Sequence, residues 1–290
     1  MPAPRLSAIA RVTQRLAVLL GAGVSPASAW GYLDDPDFGA LCAAVAASDD
    51  LADGIAKGAA RLERAERDAW LGVAAAWRVA TTAGAPLAPS LIQFAAGLRS
   101  LADAQREAEV ALAGPIATGR LVLALPVVGI VFGTVLGFDT LRILFTTPPG
   151  LSCLTVGIGL LLFARRWTRG MVAAAQPTEL MPGLHLELLA IAVSGGGSLD
   201  RARALVGGQN DSDAEAVLAL SQRAGVPAGA LLRAEADEAR REARADAQKR
   251  AARLGVQLMI PLGVCVLPAF MLLGVAPLLI SVISTTVANF

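Results

Sequence analysis

The chain has a single histidine, His185, a single tyrosine, Tyr32, and only two lysines, Lys57 and Lys249. With one imidazole, no histidine pair can hold zinc, and a histidine-based proton relay has one candidate. The three cysteines, Cys42, Cys153 and Cys265, are odd in number and scattered. That excludes a disulfide framework or a cysteine metal cluster and leaves small buried apolar residues. Neither sign of charge dominates, with 25 basic and 24 acidic residues, so there is no electrostatic footprint for nucleic acid. Phosphate-binding chemistry is missing too. "GGGS" at Gly195–Ser198 precedes a helix but lacks the Gly–Lys–Ser/Thr ending of a phosphate loop. Ser152 and Ser281 have no histidine nearby in sequence to serve as a base. "DDPDFG" (Asp34–Gly39) and Asp49–Asp50 carry enough carboxylates to suggest calcium, but read more simply as solvated loops. The sequence therefore offers no catalytic residue, no cofactor-binding residue and no metal site, and the expectation is a protein that is not an enzyme.

What is present is apolar. Hydrophobic residues make up 55% of the chain and aromatics only 4%, with a mean hydropathy of +0.58. The excess comes from Ala, Leu, Val and Gly, which suits closely packed helices. Arg5, Arg11 and Arg15 recur at helical spacing before the short apolar stretch Leu16–Val24. This reads as an amphipathic helix, and no cleaved signal is expected. Three uncharged runs follow: Leu121–Phe138, Ile143–Ala164 and Leu254–Phe290. Each is near or above the roughly 20 residues needed to cross a bilayer core. "TTPPG" breaks the chain between the first two, and Asp139 and Arg142 can pair beside it. Spans over about 121–138 and 148–166, joined as a hairpin, are expected.

Basic residues orient these spans. Arg120 precedes the first, and Arg165, Arg166 and Arg169 follow the second. Arg240, Arg241, Arg244, Lys249, Arg250 and Arg253 precede the third, and only Arg142 lies on the far side. The N-terminus and the segment Trp167–Arg253 are thus expected in the cytoplasm and the C-terminus outside. Trp167 suits an interfacial position. The last run reads as one long helix bent near Pro261 and Pro268. A hairpin turning near Gly274–Pro277 is the rival.

The remaining stretches are helical and resemble each other. "AGAPLAPSL" (Ala83–Leu91) and "AGVPAGALL" (Ala224–Leu232) share one punctuation: a glycine that ends a helix and a proline two residues later that starts the next. Upstream, "LAVLLGAGVSPASAW" (Leu16–Trp30) matches "LAIAVSGGGSLDRAR" (Leu189–Arg203) in order, with Ser25 and Ser198 as helix caps. In both copies a long charged helix then runs straight into an apolar run. The reading is an all-α integral membrane protein with two cytoplasmic helical bundles related as a repeat. The bundles cover 1–119 and 167–253, a transmembrane hairpin covers 120–166 and a C-terminal span covers 254–290. "RLERAERD" (Arg61–Asp68) and "EADEARREARADAQKR" (Glu235–Arg250) read equally as solvated faces with i,i+4 pairs or as partner surfaces.

On these residues the chain resembles the type II secretion system F-domain family, the membrane platform proteins of type II secretion and type IV pilus machines. Within that family it is most similar to the tight adherence (Tad) pilus proteins B and C. The family's "L..LL.AG" pattern is matched by Leu16, Leu19, Leu20, Ala22 and Gly23, and its "G.P" helix start by Gly84–Pro86 and Gly225–Pro227. "LFTTPPG" (Leu144–Gly150) resembles the linker of the B branch and "LPAFMLLGVAPLL" (Leu267–Leu279) the tail of the C branch. The resemblance implies a non-enzymatic scaffold in the bacterial inner membrane that couples a cytoplasmic secretion ATPase to pilin assembly. Its implied partners are that ATPase, pilin subunits, a second platform protein or another copy of itself, and the lipid bilayer. The competing class is a membrane subunit of a transporter, a permease, against which stands the lack of charge within the spans.

Overall fold

The computed structural model describes residues 3–135, 142, 145–174, 181–207, 212–277 and 279–280. Among them there are helices and no strand. In chain order they are α1 (Ala3–Gly21), α2 (Pro26–Gly31), α3 (Gly39–Ala46), α4 (Leu51–Ala59), α5 (Arg64–Ala83), α6 (Leu87–Val135), α7 (Pro148–Ala174), α8 (Leu184–Ser194), α9 (Leu199–Val206), α10 (Ser212–Ala224) and α11 (Ala228–Gln257). Local chemistry sets several boundaries. Ser25 and Ser198 are extended, and their hydroxyls accept from Ser28 N and Arg201 N at 3.3 Å, starting α2 and α9. Asp50 Oδ1 does the same for α4, accepting from Asp53 N at 3.1 Å.

The helices form two compact units. The first comprises Met1–Glu107 and Pro177–Asp246, and the second Ala108–Gln176 and Ala247–Phe290. Here the structure departs from the two separate bundles expected from sequence. Leu16, Trp30, Trp70, Leu91, Leu189, Ile191, Leu218 and Leu232 all belong to a single hydrophobic cluster. The reason lies in α8. Every residue from Leu186 to Ala192 is buried, so this helix has no solvent face and must be covered on all sides. The helices of its own half are too few to do that, and α5 from the other half packs against it. At the contact, a Cβ placed on Gly195 would lie 2.1 Å from the Ala83 carbonyl oxygen. Trp30 stands 6.1 Å from both Trp70 and Trp77, and Phe38 meets Trp70 edge-on at 5.4 Å. These four rings, all buried, form an aromatic cluster in the core of unit 1.

The repeated turns adopt one conformation. Gly84 and Gly225 end α5 and α10 with φ of +70° and +66°, the left-handed geometry that side chains resist. No atom lies within 4 Å of a Cβ built at either position, so only backbone strain opposes substitution. Gly84→Val and Gly225→Val should each destabilise unit 1 by about 1 kcal/mol. Thermal unfolding followed by tryptophan emission measures this, and an unchanged midpoint in either variant contradicts the assignment. Gly21 lies beside Ala88, Gly195 beside Ala83, and Gly229 beside Ser194. The ends of α1, α5 and α8 and the starts of α6 and α11 therefore gather at one pole of unit 1.

In unit 2, α7 lies antiparallel to the C-terminal run. Gly157 faces Leu273, while Ala164 packs on Cys265 and Val266. Gly129 of α6 faces Phe270 and Gly274, so small residues set close approaches on both sides. Beyond α11 the chain stays helical: Met259–Pro261, a π turn at Leu262–Val266, Leu267–Phe270, and a second π turn at Met271–Val275. No reversal occurs near Gly274–Pro277, and the single helix holds among the described residues. The two π turns stand near the prolines where bends were expected, one directly after Pro261 and one three residues after Pro268. In the second π turn the Ala276 amide donates to the Met271 carbonyl five residues back. Residues 281–290, where that run was expected to end, lie outside the described residues, as does Asp139.

Among the described residues, two helices are long and apolar enough to cross a membrane, Pro148–Val172 and Ala228–Val275. The expected span at 121–138 is helical through Val135 as the end of α6. Its last residues lie outside the described set.

Candidate functional site

Catalytic chemistry finds no focus in the described residues. His185 is half-buried on α8. No three His, Cys, Asp or Glu side chains converge as a metal site among the described residues. Cys42 and Cys265 are buried and Cys153 half-buried, all as free thiols. Burial, reinforced by the Asp35 carboxylate, pushes the Cys42 thiol up to about 12, which leaves it inert as a nucleophile. Ser152 donates to the Pro149 carbonyl, and Ser281 lies outside the described residues. "GGGS" is a helix end followed by a cap: Gly195 packs on Ala83, and Ser198 starts α9. An open cleft of about 410 Å³ between α3 and α4 is lined by Phe38, Leu41, Ser48, Lys57 and Arg61. Lys57 there is held by Asp53 at 2.8 Å, which raises its pKa and lowers that of Asp53 through their hydrogen bond. The Ser48 hydroxyl donates to the Ala44 carbonyl.

The concentrated chemistry is instead a set of ion pairs inside unit 1. Arg240 of α11 is 9% exposed and donates to Glu187 Oε2 of α8 at 2.8 Å and to Asp237 at 2.7 Å. Its guanidinium lies flat over α6 at Gly97, where a Cβ would come within 2.9 Å. Gly97 is thus the gap in α6 that admits the charge, and Arg240 ties α6, α8 and α11 together. One helical turn further along α11, Arg244 grips Glu107 of α6 with two hydrogen bonds, Nε to Oε2 at 3.0 Å and Nη2 to Oε1. The hydrogen bond, then the charge of Glu107, raises the Arg244 pKa. At the other side, Arg5 of α1 binds buried Glu66 of α5 at 2.7 Å, which raises the Arg5 pKa in the same way. Arg11 binds buried Asp35 at 3.0 Å.

These pairs correct the sequence reading of two segments. The aspartate loop is not simply solvated, since Asp35 is 3% exposed and joined to α1. The charged run 235–250 is not one solvated face, since it supplies Arg240 and Arg244 to the interior contacts of α11. One signal could have revealed the Arg240–Glu187 pair. Glu187 is the only acid in the apolar run "LHLELLAIAV", and a lone buried carboxylate requires a cation.

Charge also divides sharply between the units. Unit 2 contains eight basic and two acidic residues, and unit 1 contains 17 basic and 22 acidic. The near-neutral whole conceals net charges of +6 and −5. Two helices run across the boundary in sequence: α6 passes from Glu107 to Ala108, and α11 from Asp246 to Ala247, both within unbroken helix. No family model, curated protein or solved structure matches this chain.

Proposed function

We propose that the chain is a membrane-embedded scaffold without catalysis of its own, of the platform type that serves Tad-like pilus or type II secretion machines. In this reading unit 1 is cytoplasmic and receives force or rotation from a secretion ATPase. Unit 2 spans the bacterial inner membrane and passes that movement to pilin subunits. The observation that carries the reading is a pair of continuous helices, α6 and the helix that runs from α11 on to Val275, each leaving the core of unit 1 and becoming apolar within unit 2. Their emergence is braced by Arg240 and Arg244, which bind α6 and α11 to each other just before the boundary. A displacement of unit 1 would thus move both helices together. Charge supports the orientation, since the excess of arginine lies beside the apolar segments of unit 2 and basic flanks stay cytoplasmic.

The test is co-isolation. Affinity-tagged protein extracted from bacterial membranes is expected to bring down a secretion ATPase, and adding the purified protein should stimulate that ATPase. Recovery without any ATPase, together with solute uptake by proteoliposomes, would favour a permease subunit and sink the scaffold reading.

A further inference from the structure

We propose that Arg165, Arg166 and Arg169 of α7 form a binding site for the headgroup of an anionic phospholipid, with the acyl chains lying along Leu162 and Ile158. The proposal rests on the membrane reading above and adds a ligand to it. All three arginines are exposed, and none has an ion-pair partner among the described residues. At 3.6 residues per turn they fall within an arc of roughly 100° on α7. Leu162 and Ile158 fall in the same arc, one and two turns toward the apolar end, and are 61% and 45% exposed. The packed face of the helix, marked by Ala164 against Cys265 and Val266, points elsewhere.

One strip of α7 therefore presents three guanidiniums above a bare apolar stripe, the polarity of a phospholipid. Guanidinium offers paired donors to phosphate oxygens. Unit 2 offers only Glu109 and Asp139 as acids against its eight basic residues. Its local charge thus favours an anionic headgroup over a zwitterionic one. Trp167 follows Arg166 and lies about 100° further round the helix, 38% exposed and edge-on to Phe163 at 5.7 Å.

The same tryptophan supplies the measurement. Trp30, Trp70 and Trp77 are buried in the core of unit 1, so quenching by brominated acyl chains reports on Trp167, and the Trp167→Phe variant identifies its share of the signal. The full-length protein would be placed in mixed micelles containing brominated phosphatidylglycerol or brominated phosphatidylcholine. Each basic residue near a lipid surface favours anionic lipid by about fivefold. Half-quenching is therefore expected at a phosphatidylglycerol fraction at least about tenfold below that for phosphatidylcholine, with the preference shrinking in high salt. Replacing all three with glutamine (Arg165→Gln, Arg166→Gln, Arg169→Gln) should equalise the two lipids. Lysine at the same positions should keep most of the preference and serves as the folding control. Glutamine at Arg201, Arg203 and Arg223 of unit 1 should change nothing. Equal quenching of the wild type by both lipids would overturn the site while leaving the membrane reading intact. So would a preference that survives in the triple glutamine variant. Absence of quenching by either lipid would show that Trp167 meets no bilayer, and would remove both the site and the membrane reading.

Discussion

Arg240→Met is expected to destabilise unit 1 by about 3–5 kcal/mol, the cost of stranding a buried charge. Glu187 is 2% exposed and its Oε1 already lacks a hydrogen-bond partner. Removing Arg240 takes away the partner of Oε2 as well. The carboxylate is then buried without a cation. The loss should appear as a lower unfolding midpoint of the tryptophan signal from unit 1, read in a Trp167→Phe background. The decisive comparison is the double variant Arg240→Met/Glu187→Leu. Replacing a whole buried pair with apolar residues is often neutral or stabilising, so the double variant should regain most of the loss. If it stays as unstable as the single variant, the cost arises from packing around Gly97 and not from the orphaned carboxylate. If the pair also braces α8 against α11, the double variant should be stable and yet impaired in stimulating the ATPase. That outcome separates the energetic role of the pair from its mechanical one.

Gly195→Ala is expected to cost about 3 kcal/mol, at the upper end of overpacking. Its Cβ would sit 2.1 Å from the Ala83 oxygen and 2.7 Å from the Ala83 carbonyl carbon. Both are backbone atoms at the end of α5, so no side-chain rotation relieves the clash. The neighbouring glycines provide the scale. Gly196 has φ +79° with open space around it, so alanine there should cost about 1 kcal/mol. Gly197 has ordinary backbone and only Arg201 at 3.9 Å, so alanine there should stay within about 0.5 kcal/mol. An order of 195 above 196 above 197 in thermal unfolding supports a single shared core. Equal effects at all three would mean that α5 and α8 do not meet there, and would restore two separate bundles.

Much of the local structure was legible in the residues. Ser25–Pro26, Ser198 and the Gly84 and Gly225 turns are helix signals whose physics is confined to a few neighbouring residues. A cap hydroxyl reaches an amide three residues on, and a glycine ends a helix whatever lies beyond it. The C-terminal run was readable as helix through Pro277 for a similar reason, since an uncharged stretch with prolines and no polar turn offers no place to reverse there. The form of its bends was less readable, because a π turn depends on how the backbone redistributes its hydrogen bonds around Pro261 and Pro268. The shared core was not legible. A match in order between Leu16–Trp30 and Leu189–Arg203 says that two segments are alike, but not whether each folds on itself or both fold together.

The sequence by itself determined that this protein is helical, that its apolar residues gather in long uncharged runs, and where most helices begin and end. Those properties follow from periodicity, composition and contacts a few residues apart. Only the tertiary structure decided that the two helical stretches share one core, that Arg240 crosses 53 positions to neutralise Glu187, and that Arg244 crosses 137 to hold Glu107. It also decided that a near-neutral chain separates into an acidic unit and a basic one. Charges carry no sequence range: a carboxylate accepts whichever cation the packing brings to it, and only the packed chain determines which one that is.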